Sequence, residues 1–191
     1  TTELQLLDAV TGKPLGERMN ISPSDPVYFL HDFNFSPDST LLLTGSGNDI
    51  NSGTVHLWDA MTGELVGGPF AHNGTVGAVE FSPGGDVFVA GWGDIISREM
   101  SPAPRGYAQL RDTATLLPVG PVLECDGRVT EILFTPNGDT LFTASTLGVN
   151  ARLWDVDTLQ PIGEPLAHGA GVLAAAMSPN GDIVATGCYD N

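Results

Sequence analysis

One pattern recurs four times along this chain, and that recurrence limits its fold more than any other feature. An aromatic residue or methionine, then a hydroxyl residue and a proline, lead into a polar turn at Phe35, Phe81, Phe134 and Met177. A Leu-x-Asp triplet closes a strand-like run at Asp8, Asp59, Asp112 and Asp155. A repeat of about 40 to 55 residues built from short strands means one supersecondary unit used again and again.

Within a unit the apolar residues alternate with period two, the signature of half-buried strands. The third unit predicts strands over 129–135, 140–145, 150–154 and 159–162, with a turn at 136–139. The second predicts 76–82, 87–91, 107–111 and 116–119, and the first 29–36, 41–46, 54–58 and 64–66. The fourth has only its first two strands, 172–178 and 183–187, before the chain ends. Its third and fourth correspond to 3–8 and 13–15, so the two termini read as complementary halves of one sheet. Pairing them would cover edge strands that otherwise invite aggregation.

Composition agrees with many short strands and tight turns: 41% hydrophobic residues, 24 Gly and 14 Pro in 191 residues. No run of about 18 apolar residues is present to span a membrane as a helix, and the first residues have neither the basic start nor the apolar centre of a secretory signal. Cys125 and Cys188 have no CxxC spacing and read as unpaired thiols, which points to a reducing, cytoplasmic compartment. A formal net charge of −16 repels nucleic-acid phosphates and anionic membranes. The same charge attracts basic peptides or surfaces, though it also serves solubility alone.

These residues resemble the WD-repeat family. The likeness rests on Val-x-Leu-Trp-Asp at 55–59, Arg-Leu-Trp-Asp at 152–155, the Ser/Thr-Pro turns, and the Ala-His segments at His72 and His168. The linkers at 62–69 and 159–165 look most like those of prokaryotic members. The resemblance implies an all-β fold: a β-propeller with four four-stranded antiparallel blades, the fourth split between the N- and C-termini. The blades are expected at 28–66, 76–119, 129–162, and 172–191 plus 2–15. Three closures stay open: four blades alone, two copies joined head to tail in an eight-bladed ring, or a portion of a larger propeller or multidomain protein.

The resemblance also implies a hydrogen-bonded staple inside each blade, made by His, Ser/Thr, Asp and Trp. Its candidates here are His72 and Asp94 in blade two, His168, Thr186 and Asp190 in blade four, Trp58 with Thr44 in blade one, and Trp154 with Thr143 in blade three. No blade has the full set.

Two long segments, 17–31 and 95–106, are expected on one face of the propeller, where long loops are commonly functional. The second carries Ile95, Ile96, Arg98, Met100 and Arg105 between Trp92 and Tyr107. With Tyr28, Phe29 and His31 these form a candidate protein-contact surface, because exposed aromatic, apolar and Arg side chains anchor interfaces. The sequence lacks a nucleophile elbow, a phosphate loop and metal-ligand spacing, so no catalytic, cofactor or metal residue is assigned. The expected function is a non-catalytic scaffold or sensor platform for protein partners, with possible self-association to complete a ring. The alternative is a small propeller enzyme or ligand-binding protein using the central channel, where Asp32, Glu80 and Glu131 lie on or near inner strands.

Overall fold

The computed structural model describes residues 2–21, 29–48, 52–94, 105–146, 148 and 150–189. Among them are sixteen strands and no helix, in five antiparallel sheets. Blade one is β3 (Phe29–Phe35), β4 (Leu41–Asn48), β5 (Ser52–Asp59) and β6 (Leu65–His72), in sequence order. Blade two is β7 (Thr75–Phe81), β8 (Val87–Gly93), β9 (Gly106–Asp112) and β10 (Pro118–Cys125). Blade three is β11 (Val129–Phe134), β12 (Thr140–Ser145), β13 (Asn150–Asp155) and β14 (Pro161–Ala167). Flanking them are two-stranded sheets: β1 (Glu3–Leu7) with β2 (Pro14–Asn20), and β15 (Val172–Met177) with β16 (Val184–Cys188).

The recurring aspartates make the turns between third and fourth strands. Asp59 Oδ1 accepts hydrogen bonds from the N–H groups of Met61 (2.9 Å) and Thr62 (2.7 Å) and from the Thr62 hydroxyl (3.0 Å). Asp8, Asp112 and Asp155 do the same with Thr11, Thr115 and Thr158. Such side-chain turns substitute for missing backbone partners. The threonine hydroxyl and N–H hold all four carboxyls below the usual range.

The next residue in each turn is left-handed, and two of the four are leucines: Leu116 (φ 62°) and Leu159 (φ 56°). A branched side chain at positive φ costs about 1 kcal/mol or more. Packing offsets the strain, because each leucine reaches back to the preceding blade. Leu116 lies over Gly67 on β6, where a Cβ would stand 2.6 Å from its Cδ1, and Leu159 is buried over Gly120 on β10.

The core lies between blades. Leu43, Val55 and Leu57 of blade one meet Val76, Val79, Phe81 and Phe88 of blade two. Val89, Ala108 and Leu110 of blade two meet Val129, Ile132 and Phe134 of blade three. Phe142 and Ala144 of blade three then meet Val172, Ala175 and Met177 of β15. Leu6, Met19 and Ile21 cover Leu42 and Trp58 from the other end.

Two expectations need correction. The fourth strands extend well past their predicted ends, to Asn20, His72, Cys125 and Ala167. Their Gly and Pro residues read as linker, but these are outer edge strands, where a missing N–H is tolerated, and the register shifts around Gly67, Gly120 and Gly163 absorb the irregularity. The long segment 17–31 is accordingly strand up to Asn20. Secondly, the half-sheets at the two termini are not paired with each other, and the sheets are not closed into a ring.

The open ends show in the burial of blade one. Phe33 and Phe35 are 53% and 47% exposed, whereas the residues that occupy the same register in β7 and β11 (Val79, Phe81, Ile132 and Phe134) are buried by the preceding blade. At the other end Ala174, Ala176, Ala185 and Gly187 are exposed.

Candidate functional site

Blade staples come first, because they fix the strand ends that carry the surface loops. In blade one Trp58 Nε1 donates to Thr44 Oγ1 (3.0 Å), and in blade three Trp154 Nε1 donates to Thr143 Oγ1 (2.9 Å), all buried. His168 Nε2 lies 3.0 Å from Thr186 Oγ1, with Nδ1 2.8 Å from Leu166 O, at an exposed site. Asp190 lies outside the described residues.

Blade two is different. Its second strand offers Ala90 where the others have threonine, and Arg111 stands where the tryptophan would be, so His72 has no hydroxyl partner. His72 packs instead on Trp92, ring centroids 4.1 Å apart, and its buried Nε2 has no hydrogen-bond partner. Burial, helped by the Arg111 charge, pushes His72 down to about 4. No hydrogen bond joins it to Asp94. Arg111 lies over Phe70 (4.4 Å to the ring centre) and donates to Leu116 O (2.9 Å).

Trp92 was expected to be exposed, and it is only 9% so. It packs against both the His72 ring and, at 5.7 Å and 30°, the Tyr107 ring, its cross-strand partner. The register position of Trp92 belongs to Ser46, Ser145 and Cys188 in the other blades, so this aromatic pair has no counterpart there. Where β6, β8 and β9 end together, a cavity of about 580 Å³ is lined by Ala71, His72, Asn73, Trp92, Asp94, Tyr107 and Val122. Arg105 is exposed beside it, its carbonyl accepting from Asp94 N (3.2 Å).

Of the remaining contact candidates, Phe29 and His31 are exposed on β3 and do not line this cavity. Tyr28, Ile95, Ile96, Arg98 and Met100 lie outside the described residues. At the opposite end of the blades, a cavity of about 410 Å³ between the turns of blades one and two is lined by Ser36, Asp38, Gly85, Asp86 and Thr113, among others.

The inner-strand carboxylates form a second cluster, which sequence reasoning named only as isolated residues. Asp32 Oδ2 accepts from Val79 N (2.8 Å) and its Oδ1 from Phe33 N (2.9 Å). Asn34 Oδ1 accepts from Phe81 N (3.2 Å) while its Nδ2 donates to Glu80 Oε2 (3.1 Å). An inner strand is an edge with unpaired N–H groups. Asp32 and Asn34 satisfy two of those of β7, at Val79 and Phe81, from the neighbouring blade, and Glu131 takes the N–H of Ala175 on β15. Burial raises Asp32 and Glu131, and burial with the nearby Asp32 charge pushes Glu80 up to about 7.

Burial also acts on other reactive side chains. Burial pushes the Cys125 thiol up to about 11, Cys188 is likewise free, and His56 is lowered by burial beside Trp58. Among the described residues no three His, Cys, Asp or Glu side chains come together to hold a metal.

None of the curated proteins compared matches the chain. The family model described as "WD domain, G-beta repeat" matches residues 18–59 and 159–191, stretches that contain the first three strands of blade one with Trp58, and the His168–Thr186 pair. Repeats of this kind generally mediate protein–protein interaction. With the Trp–Thr bonds of blades one and three and the antiparallel four-stranded sheets, these matches support a chain built from WD-type repeats.

Proposed function

We propose that this chain is a non-catalytic scaffold or sensor module, a rigid platform that holds protein partners within a larger prokaryotic assembly in the cytoplasm. One observation carries the reading: the cavity at the end of blade two, where Trp92, Tyr107 and His72 converge beside the exposed Arg105. Aromatic and Arg side chains at the mouth of a preformed concavity are what interface anchors use. The two free thiols support the compartment, and the likeness of the Gly-Pro linkers to prokaryotic members supports the source. Binding is to be compared in extract of the source cells for the native chain, Arg105→Ala with Tyr107→Ala, and Asp38→Asn with Asp86→Asn at the opposite end. Loss of a partner with the first pair and retention with the second supports the reading. Equal recovery with all three overturns it.

The raised carboxyls of the inner strands favour a channel ligand or enzyme on electrostatic grounds. Their hydrogen bonds favour a structural role more strongly, since both Asp32 oxygens are occupied by backbone N–H groups and Glu80 is tied to Asn34. Self-association belongs to the same proposal. The exposed Phe33 and Phe35 at one end, and the exposed small residues of β15 and β16 at the other, are the uncovered faces of the row of blades, and a second copy joined head to tail would cover both.

A further inference from the structure

The cavity at the end of blade two has chemistry that selects its occupant. Its walls are aromatic: Trp92 packed against His72 on one side and Tyr107 on the other. At its edge the half-buried Asp94 carboxylate takes no hydrogen bond and no ion pair from any described residue, and no described lysine or arginine lines the space, Arg105 standing beside it. An apolar occupant would leave that carboxylate desolvated and unpaired, which is costly, and an anionic one would meet both Asp94 and a chain of net charge −16.

We infer that this cavity binds an arginine side chain of a basic partner segment, with the guanidinium against Tyr107 and its N–H fork on the Asp94 carboxylate. The inference rests on the scaffold reading and gives it a partner chemistry. A planar guanidinium meets both demands at once, stacking on a ring and donating two parallel bonds, whereas an ammonium is a more strongly hydrated point charge. The chain makes the same ring contact twice internally, with Arg111 over Phe70 (4.4 Å) and Arg152 over Trp154 (5.8 Å). Because His72 is held neutral, it adds no positive charge to oppose the guest at neutral pH.

Acetyl-Gly-Arg-Gly-amide, its citrulline isostere and its lysine analogue are to be titrated into the ¹⁵N-labelled chain while the three tryptophan indole resonances are followed. The Trp92 resonance is identified as the one lost in Trp92→Phe. The arginine probe is expected to shift that resonance selectively. Citrulline in place of arginine, or Asp94→Asn in the protein, should weaken binding about tenfold or more, as loss of a charge-assisted bond requires. Equal affinity for citrulline, equal affinity of Asp94→Asn, or tighter binding of the lysine probe overturns the assignment. If a cellular partner is retained by Asp94→Asn, the arginine inference fails while the scaffold reading stands. If the probe binds as expected but no partner depends on Arg105 and Tyr107, the scaffold reading fails alone.

Discussion

Replacing Glu80 by Gln tests the account of the inner strands most directly. Glu80 is pushed from 4.5 to about 7 by burial and by Asp32, so ionising it in the folded state costs more than ionising it in the unfolded chain. At about 1.4 kcal/mol per pKa unit, the penalty is on the order of 3 kcal/mol. The sign follows from linkage. A carboxyl raised by folding contributes stability that is fully present below its unfolded value, lost as the pH rises through about 7, and absent above. Glutamine keeps the neutral form at every pH, and its amide oxygen can still accept from Asn34 Nδ2 as Glu80 Oε2 does. Urea denaturation should therefore find Glu80→Gln close to the parent near pH 4 and more stable near pH 8, by up to about 3 kcal/mol. Because the chain is strongly acidic, removing any negative charge relieves some repulsion. Glu164→Gln, at an exposed site on β14, measures that background. No excess over the control near pH 8, or an equal gain at both pH values, refutes a buried, strained Glu80.

The staples and the open ends give further tests. Thr143→Val strands the buried Trp154 N–H and should cost about 1 to 3 kcal/mol in urea denaturation, as should Thr44→Val for Trp58, whereas Thr186→Val, at an exposed pair, should cost under about 1 kcal/mol. In β1, Glu3 occupies the place of Thr54 in β5, and Cys188 that of Ser46 in β4, whose hydroxyl oxygens are 3.0 Å apart. Glu3→Cys therefore puts a thiol opposite Cys188 of whichever chain completes the sheet. Mild oxidation and a non-reducing gel should give a disulfide between copies; a disulfide within one chain overturns head-to-tail association, and no disulfide overturns completion of this sheet by either route.

Strand positions were legible because they depend on local rules: alternation, Ser/Thr-Pro turns and the Asp-x-x-Thr loop. The partners of Trp58, Trp154 and His168 were legible for the same reason, each lying at a fixed offset within its own blade. What escaped depends on neighbouring blades. The tie from Asp32 to Val79 N joins residues 47 apart and needs the register between two sheets, which no local pattern encodes. Leu116 and Leu159 read as ordinary strand or linker residues, yet each is held left-handed by a packing site on the blade before it. The burial of Trp92 had a signal that went unused, since a large aromatic at a position of Ser or Cys in the other repeats, next to a histidine without its hydroxyl partner, was bound to rearrange the site.

The turns that reach back across the junctions, two of them through a leucine, give the row of blades a polarity. Gly16 of β2 receives the Thr62 turn, Gly67 receives Leu116 and Gly120 receives Leu159, always from the following blade. Gly163 of β14 has nothing within 4 Å, and neither has Gly12 in the turn after β1. The row thus ends in a vacant socket on one side and an unused plug on the other. Units of this kind join in one direction only, and a heterologous joint that fails to close into a ring propagates as a filament. If copies of the chain joined through this socket and plug, the angle between blades would decide between a finite particle and a growing fibre, and a small change at any one junction would be multiplied along the assembly.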